Sequence, residues 1–263
     1  MTSVREFAAF KAEKRKISVV TAYDAWSAHI VARSHVDAIL VGDSAMMVVH
    51  GHPSTLAATV ELMAWHTRAV SGSAGGKFVI ADMPFLSARK GIAEAMTAVG
   101  ALITNGAQAV KLEGVDGHED VVRQIVGSGV PVMGHIGLTP QSLHQLGGFR
   151  VQGKDDADAA KLLRQAHLLE DLGCFALVLE CVPAPLAARI TSELTIPTIG
   201  IGAGAATDGQ VLVLQDLWGV TEGHQPRFVR RYLDGARVLA DALDRYDDDV
   251  KGVTFPALEE SYP

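Results

Sequence analysis

The sequence predicts an α/β fold, a (β/α)8 TIM barrel, from three observations. Short apolar runs recur along the 263 residues, longer segments with helical periodicity separate them, and several of those segments end at glycine. Strands that are covered by helices on both faces read as continuous apolar runs of this kind. Eight such runs in alternation with helices favour the barrel, and a doubly wound open sheet is the alternative.

The apolar runs, rich in Val, Ile and Leu, are the candidate strands. In chain order they are Ile17–Ala22, Ala38–Val41, Phe78–Ala81, Ala109–Leu112, Pro131–Met133, Ala176–Leu179, Thr198–Ile201 and Val211–Leu214. The segments between them predict helices, among them Leu56–Val70, Ile92–Thr104, Ala157–Leu172 and Ala184–Leu194. Gly106 and Gly173 occupy positions where a left-handed residue is expected to end a helix. Pro226–Asp249 predicts a final helix, and a loose tail is expected after it.

Hydrophobic residues make up 48% of the chain, which provides enough apolar surface for a sizeable core. We expect a single barrel domain over residues 1–263, including the C-terminal helix and tail, because no low-complexity linker divides the chain. No run of about eighteen apolar residues occurs, so the sequence predicts no membrane span. Met1–Lys16 lacks the apolar core of a signal peptide, and a cytoplasmic location is therefore expected.

The chain carries a net charge of -7, from 23 basic and 30 acidic residues, and it has no basic arm. Nucleic acid is therefore not expected as a partner. The excess of acid does not indicate a cationic substrate, because many proteins remain soluble through such a charge. Cys174 and Cys181 lie near a predicted strand, and a packing role in a reducing compartment is favoured over a disulfide.

Polar and charged side chains follow or end five of the apolar runs. They are Asp43 and Ser44 after the second run, Asp82 after the third, Lys111 and Glu113 on the fourth, His135 after the fifth and Glu180 after the sixth. The carboxyl ends of parallel strands meet at one mouth of a barrel, where active sites are built. Side chains alternate along a strand, so Lys111 and Glu113 point to the same side. The sequence therefore predicts one metal-assisted active site, built by the four acidic residues of this set.

Each of these residues also has a purely structural interpretation. A lone Asp after a strand is most often the N-cap of the next helix, as Asp24 is expected to be, and this also applies to Asp43 and Asp82. His135 can equally be a hydrogen-bonded core histidine. Glu180 has the weakest structural explanation, because an acid that is buried without partners is costly. The combination carries the functional interpretation, rather than any single member.

Three carboxylates without a histidine cluster favour a hard, oxygen-seeking cation such as Mg2+, which prefers near-octahedral oxygen ligands. Zinc is disfavoured because no Cys/His ligand spacing occurs. Gly200–Gly204 follows the seventh run and has two interpretations, an anion-binding loop of backbone amides and a tight turn. It lacks the G-x-G-x-x-G spacing and the helix context, which favours the tight turn.

Eight short stretches at and near these strand ends carry a family resemblance. They are Thr21–Asp24, Leu40–Ser44, Gly51–Thr55, Ala81–Phe85, Val110–Gly114, Gly134–Gln141, Val178–Pro183 and Ile199–Gly204. In these stretches the sequence resembles the ketopantoate hydroxymethyltransferase family, whose members are also named 3-methyl-2-oxobutanoate hydroxymethyltransferases. The sequence departs from the family's pattern at a few positions, none of them a proposed ligand: Ala45, Met46, Pro53 and Phe149.

The resemblance implies a barrel enzyme that transfers a hydroxymethyl group from 5,10-methylenetetrahydrofolate, its co-substrate, to 3-methyl-2-oxobutanoate. The product is 2-dehydropantoate (ketopantoate), and the reaction is the first step of pantothenate biosynthesis. Family members are similar in being cytoplasmic homo-oligomers, commonly homodecamers, so the same assembly is expected here. The folate follows from the resemblance alone.

The same resemblance implies roles for the strand-end residues. The implied Mg2+ ligands, directly or through water, are Asp43, Asp82 and Glu113. The implied lining of the oxo-acid pocket is Asp43, Ser44, Asp82 and Lys111. Glu180 is the implied catalytic proton acceptor. The chemistry agrees with these roles, because a metal-chelated enolate is stabilised electrostatically, Lys111 offsets the remaining negative charge and Glu180 removes the C3 proton.

Two other functions fit parts of the same pattern. A Mg2+-dependent carbon–carbon lyase similar to isocitrate lyase also chelates an oxo acid on acidic strand ends, but that superfamily commonly uses a catalytic cysteine in a loop. A non-catalytic binding protein with a decayed site is the second alternative, and the intact set of acids with Lys111 speaks against decay. The hydroxymethyltransferase interpretation is therefore favoured.

Overall fold

The computed structural model describes residues 3–221, 223 and 225–262, and the chain forms two compact units. The first unit is Met1–Val213 and the second is Leu214–Pro263. The expectation of one domain over residues 1–263 stays a prediction. Within the described residues, no helix combines the length and the apolar character that a membrane crossing requires.

Eight parallel strands form a closed barrel in the first unit. They are β1 (Ile17–Thr21), β2 (Ala38–Val41), β3 (Phe78–Asp82), β4 (Ala109–Glu113), β5 (Val132–Gly137), β6 (Ala176–Glu180), β7 (Thr198–Ile201) and β8 (Gly209–Leu212). Each strand pairs with the next in chain order, and β8 pairs with β1 so that Gly209 lies opposite Ile17. This closure confirms the predicted barrel and excludes the doubly wound open sheet.

Helices connect the strands. In the first unit they are α1 (Val4–Ala12), α2 (Ala25–Ala32), α3 (Ala45–Val48), α4 (Val60–Ser71), α5 (Ile92–Thr104), α6 (Glu119–Gly127), α7 (Leu143–Leu146), α8 (Asp156–Asp171) and α9 (Ala184–Glu193). The second unit contains α10 (Leu214–Trp218) and α11 (Gly235–Lys251). Short 3-10 turns cover Thr55–Ala57, Pro140–Ser142 and Leu258–Glu260. Gly106 and Gly173 follow α5 and α8 with φ angles of +104° and +89°, which confirms the left-handed positions predicted there.

Several element boundaries differ from the predicted ones, and three of the shifted starts have a local reason. The helix α4 begins at Val60, later than predicted, because the Thr59 hydroxyl accepts a hydrogen bond from the Leu62 amide at 3.1 Å and caps the helix there. The strand β8 begins earlier than predicted, where its backbone already pairs with β1. The helix α11 begins at Gly235, because the chain from Pro226 first closes a separate turn.

The amino-terminal end of the barrel interior is apolar. Inward-facing side chains from all eight strands pack into one cluster there: Ile17, Val19, Ala38, Leu40, Phe78, Ile80, Ala109, Met133, Ala176, Val178, Ile199 and Val211. Helix α1 adds Phe7 and Phe10 to this cluster. The Phe7 ring lies edge-on to Phe78 and Phe175, with centroid distances of 5.6 and 5.2 Å. The helix therefore closes this end of the barrel.

The same inward-facing rows become polar toward the carboxyl ends of the strands. Residues two apart on a strand share a face. The rows run from Ile80 to Asp82, from Ala109 through Lys111 to Glu113, from Met133 to His135, and from Val178 to Glu180. We call this end of the interior, with Asp43 from the turn after β2, the polar centre. It is continuous with the apolar cluster within one barrel.

Candidate active site

Asp43 and Asp82 form the first contact of the polar centre. Asp43 lies in the turn after β2, and its amide donates a hydrogen bond to Asp82 Oδ2 at 3.0 Å. Both side chains are almost fully buried. Gly42 leaves room for the Ser44 side chain, because a Cβ at that position would lie 2.7 Å from Ser44 Oγ. Burial, and then the neighbouring carboxylates of Asp82 and Glu113, raise the pKa of Asp43 well above its usual range.

Lys111 is the cation of this cluster. Its Nζ forms an ion pair with Asp82 Oδ1, and the residue is only 5% exposed. Burial acts to lower the pKa of Lys111, but the carboxylates of Asp82, Glu113 and Asp43 raise it above its usual value. Lys111 is therefore a charged lysine inside the barrel and not a surface residue. Its positive charge partly compensates the negative charge of the carboxyl groups of Asp82, Glu113 and Asp43.

His135 contacts two carboxylates from neighbouring strands. Its Nδ1 lies 3.5 Å from Glu113 Oε1, and its Nε2 lies 3.2 Å from Glu180 Oε2. Burial, and the charge of Lys111, act to lower the pKa of His135. The two carboxylates outweigh both effects and raise it to about 9. His135 is therefore protonated at neutral pH, so its contacts with Glu113 and with Glu180 are both ion pairs.

Gln141 holds two of the carboxylates from the loop after β5. Its backbone amide donates a hydrogen bond to Glu113 Oε2 at 2.9 Å. Its Nε2 donates to Asp43 Oδ2 at 2.8 Å and to the Met83 carbonyl at 2.9 Å. Burial acts to raise the pKa of Glu113, but the histidine, the lysine and the Gln141 amide lower it. One uncharged residue thus ties together the carboxyl ends of β2, β3 and β4.

Ser44 and Tyr23 extend the polar centre toward the end of β1. The hydroxyl groups of Ser44 and Tyr23 lie 2.8 Å apart and share a hydrogen bond. Tyr23 is fully buried, and this burial raises the pKa of its phenol, so that the hydroxyl stays protonated. The Tyr23 carbonyl in turn lies 2.6 Å from His66 Nδ1. The Ser44 hydroxyl therefore has a fixed hydrogen-bond partner.

The structure brings together all the residues predicted for the site. They are Asp43, Ser44, Asp82, Lys111, Glu113 and Glu180, at the carboxyl ends of β2, β3, β4 and β6. Asp24 caps α2 as predicted, through a 2.8 Å hydrogen bond from the Ser27 amide. Asp43 and Asp82 cap none of the described helices, so the structural interpretation of these two acids is wrong. The catalytic and binding roles of the set stay predictions.

Sequence reasoning missed Gln141 and Tyr23. Both residues lie inside stretches that carry the family resemblance, Gly134–Gln141 and Thr21–Asp24, and that position was the available signal. Neither residue is charged at neutral pH, and Gln141 lies several residues beyond the end of β5. The importance of Gln141 depends on where its loop folds back, which only the structure displays.

A divalent cation fits the charge and chemistry of the polar centre. Four carboxyl groups face two cations, Lys111 and His135, and every candidate ligand is a carboxyl oxygen of the kind that Mg2+ prefers. Glu113 Oε1 is buried without a hydrogen-bond partner. Among the described residues, no three His, Cys, Asp or Glu side chains are arranged as a ready ligand group. Gln141 contacts Asp43 Oδ2, and Lys111 contacts Asp82 Oδ1.

The glycine-rich loop after β7 forms a tight turn. Gly202 and Gly204 have φ angles of +65° and +80°, which side chains other than glycine rarely adopt. A Cβ on Gly204 would also lie 2.6 Å from Ala184 Cβ at the start of α9. Backbone conformation and close packing therefore account for these glycines, as the favoured interpretation of the sequence has it.

Comparison with known proteins gives the family of the chain. A family model described as ketopantoate hydroxymethyltransferase matches residues 1–258. The chain belongs to the ketopantoate hydroxymethyltransferase family. The resemblance that the strand-end stretches indicate is thereby confirmed over nearly the whole length of the sequence.

Full-length relatives of this ketopantoate hydroxymethyltransferase family member carry the name 3-methyl-2-oxobutanoate hydroxymethyltransferase. The protein from Coxiella burnetii is 54% identical over 255 residues, which cover 97% of this chain and 96% of the relative. The protein from Bdellovibrio bacteriovorus is 54% identical over 262 residues and covers 100% of both chains. The protein from Francisella tularensis subsp. novicida is 50% identical over 262 residues, 100% of this chain and 99% of the relative. These are transferases, so the prediction that the chain is an enzyme is confirmed.

Solved structures share the fold of the ketopantoate hydroxymethyltransferase barrel at low sequence identity. A 2,3-dimethylmalate lyase, a member of the PEP mutase/isocitrate lyase superfamily, has a TM-score of 0.61 at 17% identity, covering 100% of this chain and 92% of its own. A phosphonopyruvate hydrolase, solved in complex with oxalate and Mg2+, has a TM-score of 0.64 at 11% identity, covering 99% and 93%. At these identities the likeness shows the fold alone.

Proposed function

We propose that this protein transfers the one-carbon unit of 5,10-methylenetetrahydrofolate to 3-methyl-2-oxobutanoate, giving 2-dehydropantoate. In the overall reaction, C3 of the oxo acid loses a proton and bonds to the transferred carbon, one water supplies the hydroxyl group, and tetrahydrofolate leaves. The names of relatives at 50% to 54% identity support the reaction. The observation that carries the mechanism is the buried contact of Glu113, His135 and Glu180 beside the cluster of two aspartates and Lys111.

Asp43, Asp82 and Glu113 are the residues that would hold Mg2+, directly or through water. A divalent cation bound there polarises the carbonyl of an oxo acid and so acidifies the adjacent C–H bond. A cation there would offset the penalty that burial and like charges impose on the ionised form of Asp43. The amide of Gln141 would release Asp43 Oδ2 when the cation binds.

Lys111 and Ser44 bind the oxygen atoms of the oxo acid in this proposal. Lys111 is charged and almost fully buried, so its attraction for a substrate carboxylate is stronger than at a surface. Ser44 presents a hydroxyl that its hydrogen bond with Tyr23 orients. The two groups together fix the acid end of the substrate, so that C3 faces Glu180.

Glu180 takes the C3 proton in this proposal. Its side chain is 16% exposed, so it is accessible from the mouth of the barrel, and His135 engages only one of its oxygens, Oε2. The protonated His135 holds that carboxylate in one orientation and leaves Oε1 for the substrate. A positioned general base typically contributes about 100-fold to 10,000-fold to a rate.

The test is exchange of the C3 proton of 3-methyl-2-oxobutanoate with heavy water, followed by NMR in the presence of Mg2+ and without folate. Glu180→Gln should lower the exchange rate by about 100-fold or more, because it removes the base and keeps the shape of the side chain. Calorimetry should show Mg2+-dependent oxo-acid binding nearly unchanged. Glu94→Gln, at an exposed acid of α5, is the matched control and should exchange at the parent rate.

Two outcomes contradict the proposal in different ways. Exchange at the parent rate in Glu180→Gln would show that another group is the base. Absence of exchange in the unchanged protein, with Mg2+ and the oxo acid present, would remove the proposed function itself.

Neither cysteine suits the alternative lyase. Burial raises the pKa of Cys174 to about 12, and burial with the nearby Glu180 raises the pKa of Cys181 to about 11. Both thiols are therefore uncharged at neutral pH, whereas a catalytic cysteine acts as the thiolate. Turnover of a 2-methylisocitrate-type substrate, without hydroxymethylation of the oxo acid, would nevertheless favour the lyase.

The location and the assembly rest on the family resemblance. We propose a cytoplasmic enzyme that forms a homodecamer. Light scattering on a size-exclusion column measures the assembly directly, and a particle of one subunit mass, 27.8 kDa, would contradict the decamer.

A further inference from the structure

Two tryptophans lie on the outer surface of the barrel, on the neighbouring helices α2 and α4. Trp26 on α2 is 62% exposed, and Trp65 on α4 is 61% exposed. Ile30, one turn after Trp26 on the same face of α2, is 49% exposed. The helices α2 and α4 contact each other, so these side chains extend apolar surface across both helices. We call this surface the tryptophan face.

The other side of each helix supplies the contacts that hold it on the barrel. Helix α4 packs through the fully buried side chains of Met63, Thr67 and Val70, and α2 packs through Ala28 and Val31. The tryptophan face therefore points away from the core. Tryptophan has one of the largest apolar surfaces of any side chain, and an exposed patch of this kind marks an interaction site.

Two opposite charges flank Trp65 along α4. Glu61 precedes it by four residues and Arg68 follows it by three, and both charged side chains are exposed. This spacing places all three on one face of the helix, with the charges about 10 Å apart. The order of the charges favours the helix dipole, but at this separation they do not pair with each other. Both charges are therefore directed outward, on either side of an exposed tryptophan.

This arrangement is complementary to itself. When a two-fold axis passes near Trp65, the α4 helices of two copies run antiparallel, and the tryptophans meet at the centre. Glu61 of each copy then lies opposite Arg68 of the other. Tryptophan and arginine are among the residue types most enriched at the energetic centres of protein interfaces. The two charge pairs exclude the parallel arrangement, in which like charges would face each other.

We propose that the tryptophan face binds a second copy of this chain through a two-fold contact centred on Trp65, with Glu61 and Arg68 paired between the copies. Trp26 and Ile30 add apolar surface beside that centre. Most closed assemblies with an even number of subunits contain two-fold contacts, so the contact is compatible with the proposed homodecamer and names one of its surfaces. It does not depend on the reaction that the protein catalyses.

The test is charge reversal on α4, followed by light scattering and sedimentation of the full chain over a dilution series. Glu61→Arg alone and Arg68→Glu alone each place like charges opposite each other, and each should weaken the contact about tenfold or more. The particle mass at a fixed low concentration should fall to half or less. The double variant Glu61→Arg, Arg68→Glu should restore the parent mass. Glu94→Arg, at an exposed acid of α5, is the control and should keep it.

A second variant measures the apolar centre of the contact. Trp65→Ala should weaken self-association by about 30-fold or more, as expected for a buried tryptophan anchor. Phe149→Ala, at a phenylalanine that is 54% exposed on a different loop, should leave the particle mass unchanged. Circular dichroism and urea unfolding of each variant separate loss of the contact from loss of the fold.

Tryptophan fluorescence reports the contact directly, because two of the three tryptophans of the chain lie on this face. Dilution of the parent should move the emission to longer wavelengths as their rings become exposed to water. Parent mass in Trp65→Ala and in both single reversals would overturn the contact and leave the homodecamer proposal standing. A double reversal with no higher mass than the single ones would overturn the proposed pairing. A parent that remains a particle of 27.8 kDa at every concentration would refute both proposals.

Discussion

At the amino-terminal end of the barrel, the inward-facing rows carry side chains such as Ile17 and Phe78, and α1 covers them with Phe7. At the carboxyl-terminal end, the same rows carry Asp82 and Lys111. Both ends are buried to a similar degree. The two ends differ in whether burial of their side chains stabilises the fold. The amino-terminal end is therefore called the apolar half of the barrel interior, and the carboxyl-terminal end the charged half.

Burial acts with opposite sign on the two halves. Each large apolar side chain removed from water stabilises the fold by about 1.5 to 3 kcal/mol. A carboxylate removed from water destabilises it unless a partner compensates, and Asp43 is under-compensated, as its raised pKa indicates. The apolar half thus offsets the cost of holding reactive charges in the other half. Substitutions in the apolar half should therefore mainly lower stability, whereas substitutions in the charged half should mainly lower activity.

The largest effect on stability is expected from Phe7→Ala. This change opens a cavity between α1 and the floor of the barrel, and it should lower the free energy of unfolding by about 3 to 5 kcal/mol. Urea unfolding measures the loss. Phe149→Ala, at a phenylalanine that is 54% exposed, is the control and should change stability by less than about 0.5 kcal/mol. Equal losses in the two variants would contradict the structural role of the apolar half.

An intermediate effect is expected from Mg2+ together with 3-methyl-2-oxobutanoate. Ligands that bind only the folded protein stabilise it, by about 2.7 kcal/mol at a hundredfold excess over Kd. Thermal unfolding of the parent should shift upward accordingly, and Asp82→Ala should abolish the shift whatever its own stability. Asp171→Ala, at an exposed acid of α8, should preserve the shift. No shift in the parent would favour a non-catalytic protein with a decayed site.

The smallest effect, and the one that separates the halves most directly, is expected from Asp43→Asn in metal-free protein. A carboxyl whose pKa is raised in the folded protein prefers the protonated state there. The stability of the parent therefore falls as the pH rises from 3.8, the ordinary pKa of this carboxyl, through its raised pKa in the folded protein. Asparagine has no such loss. The variant should therefore be more stable than the parent at pH 8, by about 1 kcal/mol.

Urea unfolding at pH 5 and pH 8, with a chelator present, measures that difference. The gain should be larger at pH 8, while C3 proton exchange with Mg2+ should be lost. A variant that is less stable than the parent at both pH values would show that ionised Asp43 is well compensated, against the geometry described above.

The sequence predicted the barrel and the charged strand ends because both depend on patterns along single strands. A continuous apolar run followed by Asp82 or Glu180 indicates a buried strand with a polar end, wherever its neighbours lie. The contact of Gln141 with carboxylates on two other strands depends instead on the path of a loop, and no periodicity specifies such a path. For the same reason, the protonation of His135 became evident only when Glu113 and Glu180 were found on both sides of its ring.

The pairing of β1 with β8 has a consequence for how the chain folds. Ile17 and Gly209 are opposite each other in the barrel although nearly the whole first unit separates them in sequence. Lys11 adds a link of the same span, from α1 to Asp208 at 2.9 Å. Contacts between such distant residues form slowly, because a long loop must close first. During synthesis, one edge of β1 therefore remains unpaired until β8 has left the ribosome.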